Sequence, residues 1–129
     1  MQYLFKKTLA GRNFDESILY VTETLKTEGF GIISEIDIKK ALKDKINVDF
    51  RKYIILGACN PHFAYKALTL EEGIGVFLPC NVVVQELENG SIEVMAVDPI
   101  SMMMSVKNAD LETLAQEVKL KLKNVINKL

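Results

Sequence analysis

The sequence predicts an α+β fold in which a largely antiparallel sheet carries two long helices on one face. Two segments have apolar residues at helical spacing, and several short apolar runs of strand length lie between them. Asn89-Gly90, between two of these runs, is a strong β-hairpin signal. Helices and strands do not alternate strictly, which favours antiparallel pairing. A length of 129 residues, 49% of them apolar, predicts one globular domain over residues 1–129.

The first half of the chain predicts two strands and two helices. Residues 2–10 and 30–36 have the length and apolar content of strands. Between them lies the first long helix, which Asn13 and Glu16 begin as a capping box and Gly29 ends. Asp37 is placed to begin a short helix that ends near residue 45. The apolar stripe of the long helix consists of Phe14, Ile18, Val21 and Leu25.

The middle of the chain predicts a buried strand followed by a helix. Residues 53–59 form an unbroken apolar run, which is typical of a strand that is buried on both faces. Asn60 and Pro61 suit the N-cap and the first position of a helix that ends near residue 72. Because the two long helices cover one face of the sheet only, we expect this middle helix or a second subunit to cover the other face.

The last part of the chain predicts three strands and the second long helix. Strands are expected at residues 74–78, 80–87 and 91–97, with a break at Pro79. After a loop, Asp110 is expected to cap the final helix. The apolar stripe of that helix consists of Leu111, Leu114, Ala115, Val118, Leu122, Val125 and Ile126.

Charge and hydropathy exclude several functional classes. Sixteen basic residues against seventeen acidic ones give a net charge of −1, so the chain lacks the basic surface on which nucleic-acid binding depends. Lysines cluster between Lys39 and Lys45, but aspartates lie among them, as on a solvated helix face. No apolar stretch is long enough for a membrane span, and the N-terminal segment lacks the apolar core of a signal peptide. We therefore expect a cytoplasmic protein with no nucleic-acid or membrane partner.

Reactive and hydrogen-bonding side chains occur in three segments, each at the end of an apolar strand. The segments are Cys59-Asn60-Pro61-His62, Leu78-Pro79-Cys80-Asn81 and Asp98-Pro99. Sites commonly form where strand ends meet. We therefore predict a pocket that contains Cys59, Asn60, His62, Cys80, Asn81 and Asp98.

Three of these residues are catalytic candidates. Cys59 precedes a helix N-terminus, whose partial positive charge stabilises a thiolate. His62, the only histidine, lies in the first turn of the same helix, and Cys80 is the second thiol. Each has a plainer interpretation: the cysteines as small buried apolar residues, and His62 as a surface residue. The two cysteines, 21 residues apart, match no zinc-binding spacing, so no metal site is predicted.

Two further polar or adaptable features allow both a structural and a functional interpretation. Asp98 either orients His62 or caps the turn before Pro99. The consecutive methionines Met102–Met104 either form an adaptable contact surface or fold onto the core.

The strand-end segments and their neighbours resemble the domain of unknown function 302 family. That resemblance implies a β-α-β(4)-α fold of the TATA-binding-protein-like type, in a small domain that tends to dimerise. It implies no activity, cofactor or catalytic residue. The matching residues are Asp37–Leu42, Tyr53–Pro61, Ala64, Ala67, Leu68, Leu78–Val84 and Asp98-Pro99.

Three functional hypotheses follow. The first is a homodimeric module that binds a small molecule or an ion in the strand-end pocket. The second is a thiol-dependent redox protein or enzyme with Cys59 as attacking thiolate and Cys80 as resolving thiol. The third is a structural or interaction domain that uses the Met102–Met104 segment. The cofactor, if any, is not predicted by the sequence.

Overall fold

A computed structural model describes residues 2–129 and places all five strands in one antiparallel sheet of order β1-β5-β4-β3-β2. The predicted α+β class and the antiparallel sheet are confirmed. The strands are β1 (Leu4–Leu9), β2 (Gly31–Asp37), β3 (Tyr53–Cys59), β4 (Cys80–Glu86) and β5 (Ile92–Val97). The helices are α1 (Phe14–Lys26), α2 (Ile38–Ile46), α3 (Pro61–Leu70), α4 (Pro99–Met102) and α5 (Ala109–Lys128), with a 3-10 helix at Glu72–Phe77.

The long helices α1 and α5 pack side by side on one face of the sheet, as the two apolar stripes predict. Alternate residues of the central strands, such as Leu56, Val82 and Val94, are fully buried beneath them. The stripe residues Val21 and Leu25 of α1 and Leu122 of α5 complete this core. Burial of these side chains contributes about 2 kcal/mol each.

Local capping signals place the helix starts of the first half. Asn13 accepts a hydrogen bond from the backbone N–H of Glu16 at 2.8 Å, and the Glu16 carboxylate accepts one from Asn13 N–H at 3.2 Å, which completes the capping box. Asp37 accepts from Lys40 N–H at 3.0 Å and begins α2. Both predictions are confirmed.

One predicted strand is wrong, and so is the predicted first residue of the final helix. Residues 74–77 lie in a 3-10 helix rather than a strand, and Leu78 follows as its C-cap. A single apolar side chain, Ile74, is fully buried there between two glycines. The final helix begins two residues earlier than Asp110 indicated: Asn108 occupies the N-cap and accepts from Leu111 N–H at 3.1 Å. Asp110 instead lies in the first turn, where its negative charge interacts favourably with the positive end of the helix dipole.

The second face of the sheet carries neither long helix. The middle helix α3 packs against α5 and the 3-10 helix, so it does not supply the expected cover. Strand β3 is therefore fully buried only over Leu56–Ala58, and Tyr53 and Ile55 are half-buried, not enclosed on both faces as the unbroken apolar run predicted. Over residues 2–129, no helix is long and apolar enough to cross a membrane.

Candidate functional site

A cavity of about 280 Å³ lies at the end of the sheet where β3 finishes and β4 begins. Helices α3 and α5 form its sides, and the cavity reaches the exposed side chains of Ile33 and Leu68, where it opens to the surface. Apart from Asn60 and two cysteines, its lining is apolar. The lining residues are Phe30, Ile33, Ala58, Cys59, Asn60, Phe63, Ala64, Ala67, Leu68, Leu78, Pro79, Cys80, Met103, Leu111, Leu114, Ala115 and Val118.

Strand pairing brings the two cysteine-containing segments together. Ala58 at the end of β3 lies directly opposite Cys80 at the start of β4. One residue pair earlier, Gly57 faces Asn81, and its Cα lies so close to Ser34 and Pro79 that a Cβ atom would clash with Ser34 Oγ and lie 2.8 Å from Pro79 Cγ. Only glycine allows these three segments to approach one another here.

The two thiols occupy different environments. Cys80 is buried, and burial, helped by the nearby Cys59 sulfur, raises its pKa from 9.0 to about 11. Cys59 is half-buried and lies one position beyond the residue opposite Cys80. Because successive side chains of a strand point to opposite faces, the Cα–Cβ bonds of the two cysteines diverge. That geometry disfavours a disulfide between them without backbone movement.

Asn60 is the polar side chain most deeply placed at the cavity. It occupies the N-cap position of α3, with Pro61 next in the first turn as predicted, but its side chain makes no capping hydrogen bond to the helix. Instead its Nδ2 donates to the Glu28 carbonyl at 3.4 Å. The sequence thus predicted the position of this residue and missed what its side chain does.

The turn that receives Asn60 is fixed to α5. Lys128 Nζ and Asn124 Nδ2 donate to the Glu28 carboxylate at 2.8 and 3.2 Å. These hydrogen bonds hold the pKa of Glu28 below its usual value. Gly29 follows with a φ of +85°, and a Cβ atom there would lie 2.9 Å from Asn60 Nδ2. The α1–β2 turn is therefore shaped to accept the carboxamide.

The other predicted site residues lie outside the cavity lining. His62 is exposed in the first turn of α3. Asn81 is exposed on the strand face opposite to that of Cys80. Asp98 is buried, where it accepts from Ile100 N–H at 2.9 Å and pairs with Lys119 Nζ at 3.3 Å. Those contacts give Asp98 the capping role that the sequence offered as one of its two interpretations.

The three methionines divide between core and surface. Met102 packs against the main core, Met103 lines the cavity, and Met104 is exposed. Across residues 2–129, no group of three or more His, Cys, Asp or Glu side chains is arranged to hold a metal ion.

Sequence reasoning missed most of the cavity wall. Leu111, Leu114 and Val118 belong to the stripe that predicted core packing of α5, and Phe63 to the apolar side of α3. A stripe residue that lines a cavity has the same sequence pattern as one that fills the core, so periodicity could not separate them.

The model of one protein family, "Domain of unknown function DUF302", matches residues 5–129. The chain belongs to the DUF302 family. It is also similar to the crystal structure of an uncharacterised conserved DUF302 protein from Bacillus stearothermophilus, with 26% sequence identity and a TM-score of 0.89. That alignment covers 99% of this chain and 98% of the other. No curated protein matches the chain. The similarity extends the DUF302 fold over essentially the whole molecule.

Proposed function

We propose that this DUF302 domain binds an apolar small molecule in the cavity between α3, α5 and the start of β4. The observation that carries the proposal is the cavity itself: about 280 Å³, open at one side and lined almost wholly by apolar side chains. Its volume is close to the lower end of the roughly 300–1,000 Å³ that small-molecule sites occupy. A cavity with an apolar lining favours apolar ligands, because water makes few hydrogen bonds there.

The free energy gained on binding comes from the burial of apolar surface. A ligand that buries about 200 Å² of its apolar surface gains about 5 kcal/mol. A gain of that size corresponds to a dissociation constant of about 0.2 mM before the cost of association, which weakens the affinity further, so we expect weak binding. The fold already contains this cavity, so binding needs no opening of the core.

The apolar lining favours binding of an apolar small molecule over binding of an ion and over thiol-dependent redox chemistry. A hydrated ion would lose its water shell against side chains that offer few ligand atoms in return. Thiol exchange would need Cys80 as a thiolate, and burial raises its pKa to about 11, so at neutral pH this thiol is protonated. The diverging Cα–Cβ bonds of the two cysteines weigh against the same hypothesis.

The experiment is calorimetric titration with indene, a neutral hydrocarbon with no hydrogen-bonding group. We expect saturable binding to the native protein and its loss in Ala64→Leu, which places a larger side chain inside the cavity. Lys66→Leu adds the same side chain at an exposed position of α3 and should bind indene normally. Absence of binding to the native protein, or equal binding by Ala64→Leu, would refute the proposal.

The domain acts as a homodimer in this proposal, joined through the sheet face that lacks α1 and α5. An apolar row crosses that face through registered pairs, from Ile36 to Ile55, Val83 and Met95. Ile36 is 50% exposed, and the other three are half-buried. Covering this row would remove apolar surface from water on both subunits.

Analytical ultracentrifugation tests the dimer separately from ligand binding. We expect a dimer for the native protein and a monomer for Val83→Lys, which places a charge in the middle of the row. Thr113→Lys, at an exposed position of α5 on the other face of the sheet, should remain dimeric. A native monomer at the concentrations used for titration would exclude the dimer.

A further inference from the structure

The carboxamide of Asn60 is incompletely hydrogen-bonded although it is only 9% exposed. Its Nδ2 donates one long hydrogen bond of 3.4 Å, and no residue in the range 2–129 donates to its Oδ1. Asparagine at an N-cap position normally uses that oxygen to accept from the helix backbone. Here the helix N-terminus goes without it, so the oxygen is left for another partner.

The surroundings of Asn60 fix which end of the carboxamide meets the cavity. The nitrogen end lies against the turn, next to the Glu28 carbonyl and the Cα of Gly29. Over residues 2–129, every fully enclosed side-chain nitrogen or oxygen has a hydrogen-bond partner. Since Oδ1 has none, it reaches accessible space, and the space that Asn60 lines is the cavity.

The charge of the lining restricts the ligand further. Among the residues that the structure describes, those that line the cavity carry no acidic or basic side chain. A charged ligand group would therefore lose its hydration without an opposite charge to replace it. A neutral donor would instead gain a hydrogen bond to an oxygen that is already shielded from most of the solvent.

We propose that the cavity selects a ligand with an apolar body and one neutral N–H or O–H donor, which donates to Asn60 Oδ1. This inference rests on the proposed function and names its ligand class. Asn60 is the specificity-determining residue, and the Glu28-Gly29 turn positions it.

Three matched probes test the inference by calorimetric titration at neutral pH. Indole carries an N–H donor, indene has the same shape without it, and 1-methylindole replaces the donor hydrogen by a methyl group. We expect indole to bind about two- to tenfold more tightly than indene or 1-methylindole, as one neutral hydrogen bond provides. Indole-5-carboxylate, the charged probe, should bind at least tenfold more weakly than indole.

Two variants locate the effect. Asn60→Leu should bind indole and indene equally, because it replaces the carboxamide by an apolar side chain of similar size and so removes the oxygen. Asn81→Leu changes the same residue type on the exposed strand face and should keep the preference for indole. If Asn60→Leu does not fold, the ratio of the three probes on the native protein decides the question alone.

The two proposals fail in different ways. If indene binds but indole binds no more tightly, or if Asn60→Leu keeps the preference, the donor inference is wrong and the apolar cavity stands. If neither indene nor indole binds, the proposed function itself is wrong.

Discussion

The two ends of the sheet differ in how their polar side chains are satisfied, although the α2 end also buries one, Gln85, which is hydrogen-bonded to Arg51 and Glu93. At the end where α2 joins β2 to β3, charged side chains remain in water and pair across the surface, with Lys43 Nζ 3.1 Å from Asp49 Oδ1. At the cavity end, the polar residues Asn60, Cys80 and Asp98 are buried. Water satisfies the first group at little cost, whereas the second group depends on partners that the fold must supply. A functional site is therefore expected where such a partner is missing, and Asn60 is that place.

The largest expected effect at the cavity end comes from Gly57→Ala. The added Cβ would clash with Ser34 Oγ and approach Pro79 Cγ, so β2 or the Pro79 segment must shift. We expect a loss of about 3 kcal/mol in the free energy of unfolding, measured by urea denaturation. Gly31→Ala is the control, because its Cβ would meet no atom within 4 Å, and it should change stability by less than about 0.5 kcal/mol. Equal effects of the two substitutions would contradict the packing described at this end.

The next effect is a dependence of stability on alkaline pH. The native pKa of Cys80 is about 11, raised by burial from 9.0, so between these values the unfolded chain has released a proton that the native state holds. The free energy of unfolding therefore falls as pH rises through this window, by about 2 kcal/mol near pH 10.5. This contribution is small at pH 9 and absent at neutral pH.

The matched cysteine variants isolate that contribution. Cys80→Ala should lose the excess pH dependence relative to the native protein in urea denaturation at about pH 7 and pH 10.5. Cys59→Ala retains the buried thiol and should keep most of it. An unchanged pH dependence in Cys80→Ala would show that Cys80 is not buried as a protonated thiol.

The smallest effects separate the ion pairs of the two ends. Asp98→Ala removes a buried carboxylate that accepts from Ile100 N–H and pairs with Lys119, and should cost about 1.5 kcal/mol of unfolding free energy. Asp49→Ala removes an exposed partner of Lys43 and should cost less than about 0.5 kcal/mol. Raising the salt concentration should erase the Asp49 effect and leave most of the Asp98 effect. A larger loss of unfolding free energy in Asp49→Ala than in Asp98→Ala would contradict this comparison of the two ends.

Sequence reasoning reached the fold because its signals are local. The Asn13-Glu16 capping box, the Asp37 cap and the Asn89-Gly90 hairpin signal each act within a few residues, and the structure contains all three. The strand predicted at residues 74–78 is absent because an apolar residue in a short run, such as Ile74, fits a strand or a buried turn equally well.

The site was predictable only in part. Strand ends pointed to Cys59, Asn60 and Cys80, and β3–β4 pairing brings their segments together. The exposure of His62 depends on how α3 packs against α5, a contact between segments about fifty residues apart that no local pattern encodes. The free oxygen of Asn60 depends on the Gly29 turn, which lies about thirty residues earlier in the chain, so no motif around Asn60 encodes it.

Methyl NMR during titration with indene tests the central claim most directly, because it locates the ligand in the molecule. We predict saturable shift changes for cavity methyl groups such as those of Ala64, Leu114 and Met103. The methyl groups of Ile46, the last residue of α2, and of Val48 just beyond it should be unchanged. Shift changes confined to the α2 end, or none that saturate, would contradict the central claim.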